Sequence, residues 1–227
     1  MDQRTLAVPV SGTAFDLRTF LDRLATAGVL TVHDEPIELG SIAAILEGND
    51  KAVLFTKVGP EKATLVGNLA GSRERLAMAF QTDEANLLRT VLESLRSTPG
   101  THEVSKAEAP VQDIVLTGDQ ADFTALPIHL QHGMDGAPYI SSSMDIVVDP
   151  RNGLTNVGIR RLMLRGRREA GIDLVSPSDL KAIYEFQAGK GEPLPIAFVV
   201  GSHPVDHVAA TMRIPVDEVG LMASLRR

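Results

Sequence analysis

Two long extended runs, separated by a turn, constrain the second half of this chain more than any other feature. Tyr139-Ile140 leads through Met144-Asp145-Ile146-Val147-Val148-Asp149 to Pro150, and Thr155-Asn156-Val157-Gly158-Ile159-Arg160-Arg161 follows. Asn152-Gly153 lies between them and is a strong turn signal, which predicts an antiparallel pair. Side chains alternate faces along a strand, so Ile159 and Arg161 share one face and Arg160 takes the other. One of the two arginines can stay in water while its neighbour points into the fold or a cleft. An inward guanidinium needs an anion, because an unpaired buried charge is very costly. A carboxylate or phosphate ligand is the chemistry this suggests. Spacing alone favours the plainer alternative, a surface arginine and a turn-proximal amide.

The chain has 227 residues, enough for one large domain or two small ones. Its net charge of −7 and aromatic content of 4% argue against a nucleic-acid surface or a base-stacking platform. There is no cysteine, hence no disulfide framework and no thiolate metal site. No apolar run reaches the length of a membrane span, and Met1-Asp2-Gln3-Arg4 does not open a signal peptide. The expectation is a soluble cytoplasmic protein.

Residues 10–97 alternate between helical and strand patterns. Helices are predicted at 15–28, 37–46, 72–80 and 83–96, with short strands at 29–32, 52–55 and 64–67. This predicts a small α/β domain, residues 1–109. Residues 98–112, poor in large apolar side chains, read as a linker. Strands are then expected at 113–117, 138–149 and 155–165, followed by a helix from Ser176 to about Ala188. A buried strand over Leu194–Val200 and helices over 203–212 and 216–227 complete the reading. The β-rich half, 110–227, predicts an antiparallel domain of barrel type.

Asp179 and Glu218 both lie early in predicted helices. Helix-terminal acids commonly serve the dipole, and Ser176-x-x-Asp179 has the form of a capping box. The sharper alternative joins Asn156, Asp179 and Glu218 as oxygen ligands of one hard cation: magnesium, manganese or potassium. His203 and His207, four apart with Asp206 between, lack the remaining parts of a zinc motif, and helix-start packing at a solvated surface is favoured. His129 and His132 are read as exposed loop residues. No phosphate-binding glycine loop and no nucleophile elbow is present.

From Pro110 to Arg227 the chain resembles the UbiD-like decarboxylases, which use prenylated flavin mononucleotide (prenylated FMN). The resemblance is carried by Gly118-Asp119 with Asp122-Phe123-Thr124-Ala125-Leu126-Pro127-Ile128, by Asp135-Gly136-Ala137-Pro138-Tyr139-Ile140, and most specifically by Thr155 to Arg161. Ala209-Ala210-Thr211-Met212-Arg213-Ile214-Pro215 and Glu218-Val219-Gly220-Leu221-Met222-Ala223 extend it. Weaker similarity covers residues 14–97, including Gly67-Asn68-Leu69. The resemblance implies an α+β protein with an N-terminal α/β domain and a split β-barrel of flavin-reductase type, incomplete at the C-terminus. It implies that Asn156 and Glu218 ligate a divalent metal (Mn2+ or Mg2+, or K+) beside the flavin phosphate, and that Arg161 holds the substrate carboxylate. Gly158, Ile159 and Arg160 correspond to backbone positions around the cofactor, and Ala210, Thr211 and Met212 to a segment on its phosphate side. The third metal ligand, often histidine in the family, falls at Asp179.

Family members are roughly twice this length. By the resemblance, the other half would carry the catalytic glutamate, a lysine near the phosphate and the C-terminal oligomerisation domain. The resemblance therefore implies one part of a carboxy-lyase acting on a small aromatic or α,β-unsaturated acid. A second polypeptide carrying the C-terminal half, a homo-oligomer, or both are the partners this implies. A non-catalytic truncated paralogue serving assembly, and a flavin-binding oxidoreductase, are the alternatives.

Overall fold

A computed structural model describes residues 12–97 and 100–226. Helix α1 (Leu17–Thr26) starts where Asp16 accepts a hydrogen bond from the Thr19 amide at 3.0 Å, a side-chain cap on an otherwise orphaned N–H. It ends at Gly28, whose φ of +73° suits a residue without a Cβ. Strands β1 (Leu30–His33), β2 (Ala52–Val58) and β3 (Ala63–Gly67) form a three-stranded sheet, with β1 parallel and β3 antiparallel to β2. The helix expected over 37–46 is shorter: a 3-10 turn at Leu39–Ser41 runs into α2 (Ile42–Leu46), while Ile37 bridges to Val58. Ser72 caps α3 (Arg73–Ala79), and α4 (Leu87–Ser94) follows.

Of the predicted linker, residues 98 and 99 lie outside the described residues. The strand expected at 113–117 does not form. Residues 106–125 carry four 3-10 turns instead, and Val111 and Ile114 stand 81% and 80% exposed. An apolar run becomes a strand only where a partner edge pairs its backbone, and among the described residues none pairs with this one.

The second sheet has four strands in the order β6-β5-β4-β7. β4 (Tyr139–Val148) and β5 (Thr155–Leu164) form the expected hairpin, with Gly153 at φ +77° in its turn. β6 (Ala170–Ile172) was not anticipated. β7 (Ala197–Val199) exists where a buried strand was expected, but it is a partly exposed edge, with Phe198 and Val200 open to solvent. The sheet does not close into a barrel among the described residues.

Helix α5 (Asp179–Ala188) packs Leu180 and Ile183 onto Val147 of β4. Its cap is Ser178, which accepts from Lys181 N at 3.2 Å, rather than the anticipated Ser176. Helices α6 (Pro204–Ala209) and α7 (Glu218–Leu225) are shorter than predicted, and Arg227 lies outside the described residues. Both turn back toward the first half of the chain. Val205, Ala209 and Leu225 share one apolar core with Phe20, Leu24, Ala52 and Phe80, and Ser224 Oγ donates to the Ser97 carbonyl at 3.0 Å. The position of α7 is thereby fixed by the N-terminal core.

His203 closes this junction. It is 1% exposed, where a solvated surface was expected, with its ring against the edges of Phe15 and Phe20. Its Nδ1 accepts from the Val205 amide at 3.3 Å, which caps α6. Asp206 on the same helix forms a two-point ion pair with Arg226. Burial lowers the His203 pKa to about 4 from the ordinary 6.5. Below pH ~6.5 the unfolded chain binds a proton that the native imidazole refuses, so stability falls with pH until the native ring itself titrates. The expected loss between pH 7 and pH 4 is on the order of 3 kcal/mol at most. Urea unfolding of wild type and His203→Asn at pH 7.0, 5.5 and 4.5 checks this: the variant, with no imidazole to charge, should lose less stability over that range.

Candidate functional site

The site grows from the start of β5 and the start of α7. Asp217 is the α7 cap: its Oδ2 accepts from Gly220 N at 2.8 Å. Its Oδ1 accepts from the Thr155 amide at 2.8 Å and the Thr155 hydroxyl at 2.6 Å. Val219 N returns a bond to Thr155 Oγ1 at 3.0 Å. Burial opposes the Asp217 charge, but these donors outweigh it and hold the pKa below the usual aspartate value.

The next residue, Glu218, is largely buried and grips the same strand. Its Oε2 accepts from Asn156 Nδ2 at 2.9 Å and from the Val157 amide. With the amide nitrogen of Asn156 turned to Glu218, Asn156 Oδ1 is left as a free oxygen donor. Burial raises the Glu218 pKa; the Val157 amide counters this, and the charges of Asp179 and Asp145 add to it. Asp179, at the first position of α5, is exposed and approaches from the other side.

These groups border one cleft of about 640 Å³. Asn156, Gly158, Ile159, Arg160, Asp179, Ala210, Thr211, Met212 and Glu218 all line it. Arg161 does not. It is exposed, on the same face of β5 as Ile159 and one step further toward the open end of the sheet. Of the two arginines, Arg160 is the one turned inward.

Among the described residues no three His, Cys, Asp or Glu side chains gather at metal-binding range. The donor set that the cleft offers is two carboxylates and an amide oxygen, which fits a hard cation with water or phosphate completing its shell. The crowding of carboxylates around buried Glu218 is the feature that a cation would relieve.

Several contributors were not singled out from the sequence. Thr155 and Asp217 act through backbone and cap bonds that no spacing rule reveals. Arg213 lines the cleft beside Met212. Asp145, fully buried in the middle of β4, carried a visible signal: an acid inside the apolar run Met144-Asp145-Ile146-Val147. His132 is exposed as expected, but His129 is half-buried and lines a second, more apolar cleft of about 560 Å³ with Phe55, Leu65 and Tyr139.

Comparisons with known proteins place the chain in a family. Residues 102–227 match the 3-octaprenyl-4-hydroxybenzoate carboxy-lyase Rift-related domain, and residues 21–95 the N-terminal domain of the same family. The anhydromevalonate phosphate decarboxylase of Methanosarcina mazei is 31% identical over 87% of this chain and 45% of its own length. The phenolic acid decarboxylase of Sedimentibacter hydroxybenzoicus is 31% identical over 84% of this chain and 43% of its own. An evolved dimeric form of the UbiD-class enzyme HmfF from Pelotomaculum thermopropionicum, solved in complex with prFMN, superposes with a TM-score of 0.85 at 30% identity, over 93% of this chain and 50% of that one. The chain thus spans about half the length of the relatives it matches. The two family models together take in both sheets, and the chain belongs to the UbiD family of carboxy-lyases.

Proposed function

We propose that this chain supplies the metal- and phosphate-binding wall of a decarboxylase that uses prenylated FMN and acts on an aromatic or α,β-unsaturated carboxylic acid. The observation that carries the reading is the convergence of Asn156, Asp179, Glu218 and the 210–212 segment on one cleft. That convergence occurs in a chain whose fold matches a flavin-bound carboxy-lyase-family enzyme. In this reading the chain divides near residue 110, and its open four-stranded sheet is part of a split barrel.

Asn156 Oδ1 and the carboxylates of Asp179 and Glu218 hold Mn2+ or Mg2+, with K+ as a further candidate. The metal fixes the phosphate end of the cofactor against residues 210–212. When bound, the flavin supplies the electron sink for loss of carbon dioxide. The polypeptide positions the partners. Gly158 and Ile159 present backbone to the cofactor, and Arg161, further along the Ile159 face, is placed to receive the substrate carboxylate in two-point fashion.

Arg161 is exposed, so further protein must wall the substrate side. Open edges at β6 and β7 and the exposed Phe198 and Val200 give such a partner a surface to pair with and cover. That partner, a second polypeptide or another copy, also supplies the proton donor. The non-catalytic alternative, an assembly subunit, rests on the same exposed surface and differs in leaving Arg161 idle.

Two measurements test the reading. Calorimetric titration with Mn2+ should show one site in the wild type, and Glu218→Gln should weaken it by about tenfold or more by removing a charged ligand. Unchanged Mn2+ affinity would remove Glu218 from the metal site. In the assembled enzyme, Arg161→Ala should lower kcat/KM for the acid by about a hundredfold or more while the flavin remains bound. Normal turnover would rule out the carboxylate assignment and favour the assembly role.

A further inference from the structure

Behind the cleft lies an ion pair to which the reading above gives no task. Asp145 stands mid-way along β4, directly across from Gly158, and is fully buried. Neither of its carboxylate oxygens accepts a hydrogen bond. Arg160 lies on the same sheet face, opposite Ser143, with Nε 3.8 Å from Asp145 Oδ1. That is a Coulombic contact too long for a hydrogen bond, and the Nε–H has no acceptor either. Nη1 donates to the Ile159 carbonyl at 3.3 Å. A desolvated carboxylate with no hydrogen bond is costly, and replacing a buried ion pair with apolar groups is often stabilising. The strand itself gives no reason to keep one here, since Met144 and Val147 of the same strand are buried and apolar.

The geometry shows what the pair achieves. A Cβ on Gly158 would lie 3.1 Å from Asp145 Oδ1 and 3.4 Å from Arg160 Cζ. The guanidinium therefore folds back over the bare backbone of Gly158, drawn toward the buried carboxylate beneath. This sets it on the wall of the cleft that Asn156, Asp179 and Glu218 also line, only a quarter exposed. Without Asp145, an arginine at this position has open solvent and several rotamers to choose from. With it, a planar set of N–H donors is held facing the cleft.

We infer that Arg160 contacts the phosphate of the flavin and that Asp145 is the positioning residue that orients it. This rests on the functional reading above. A phosphate beside the Asn156–Asp179–Glu218 donors would have a cation on one flank and the Arg160 fork on another, and it would supply the acceptors the guanidinium lacks. The predicted role of Arg160 thus extends from its backbone to its side chain.

The test is binding of FMN and of riboflavin, which differ by the phosphate, to the full chain with Mn2+, followed by flavin fluorescence quenching. Arg160→Gln should weaken FMN by about tenfold or more and leave riboflavin unchanged. Arg160→Lys should recover part of the loss. Asp145→Asn should reduce the preference for FMN over riboflavin by a smaller factor, and melting temperatures are read alongside. If Asp145→Asn does not fold, Gly158→Ala, which presses on the same guanidinium from the strand side, should lower the same preference. Equal losses for both flavins, or none, in Arg160→Gln would make the pair purely structural. A full FMN preference in Asp145→Asn, or in Gly158→Ala where that replaces it, would remove the positioning role. Wild type that binds neither flavin would overturn the functional reading itself, and the phosphate contact with it.

Discussion

The cleft depends on two adjacent acids at the start of α7 gripping the start of β5 across 62 residues of sequence. Asp217 ties Thr155 and closes the helix, and Glu218 ties Asn156 and Val157 and faces the cleft. The helix cannot shift along the strand without breaking several bonds to buried or half-buried groups, each costly to leave unsatisfied. At its other end, Leu225 is locked into the core formed by α1, α3 and β2. The first half of the chain thus acts on the site at a distance: its core holds α7, and α7 holds Asn156 and Glu218 together.

That arrangement concentrates negative charge. Glu218 begins α7 and Asp179 begins α5, where a helix N-terminus favours an anion. Asp145 lies buried behind them. Two of these three carboxylates, Glu218 and Asp145, have their pKa raised chiefly by burial. Hydrogen bonds from Asn156 and Val157 offset part of the cost at Glu218; at Asp145 the charge of Arg160 is the largest offset. In the proposed reading a metal–phosphate pair would supply the complementary charges, a cation among the first two and an anion against Arg160.

The sequence revealed elements wherever local chemistry suffices. Ser72 and the Asn152-Gly153 turn mark boundaries within a residue or two, because caps and turns are decided by neighbours in the chain. It misled where pairing decides. Residues 113–117 and Leu194 to Val200 have strand composition, but the first pairs with no strand among the described residues and the second becomes an exposed edge. The three cleft oxygen donors were legible mainly through family resemblance, since a helix-start acid looks the same whether it serves the dipole or a ligand. Asp145 was not singled out, although an acid in an apolar strand is a signal that something must compensate its charge.

Two consecutive arginines on one strand can be understood from the alternation of its faces. Arg160 turns to the inner face because Gly158 leaves room and Asp145 supplies the attraction. Arg161 must then point the other way, along the face of Ile159. If the cofactor lies along β5 with its phosphate at the metal donors, one guanidinium meets the phosphate end and the other meets whatever acid is presented at the ring end. The strand would then separate two anions that must not exchange places. Arg160 is anchored from within by a buried carboxylate, so it favours a resident group. Arg161 is exposed and has no ion-pair partner among the described residues, so it suits a group that arrives and leaves.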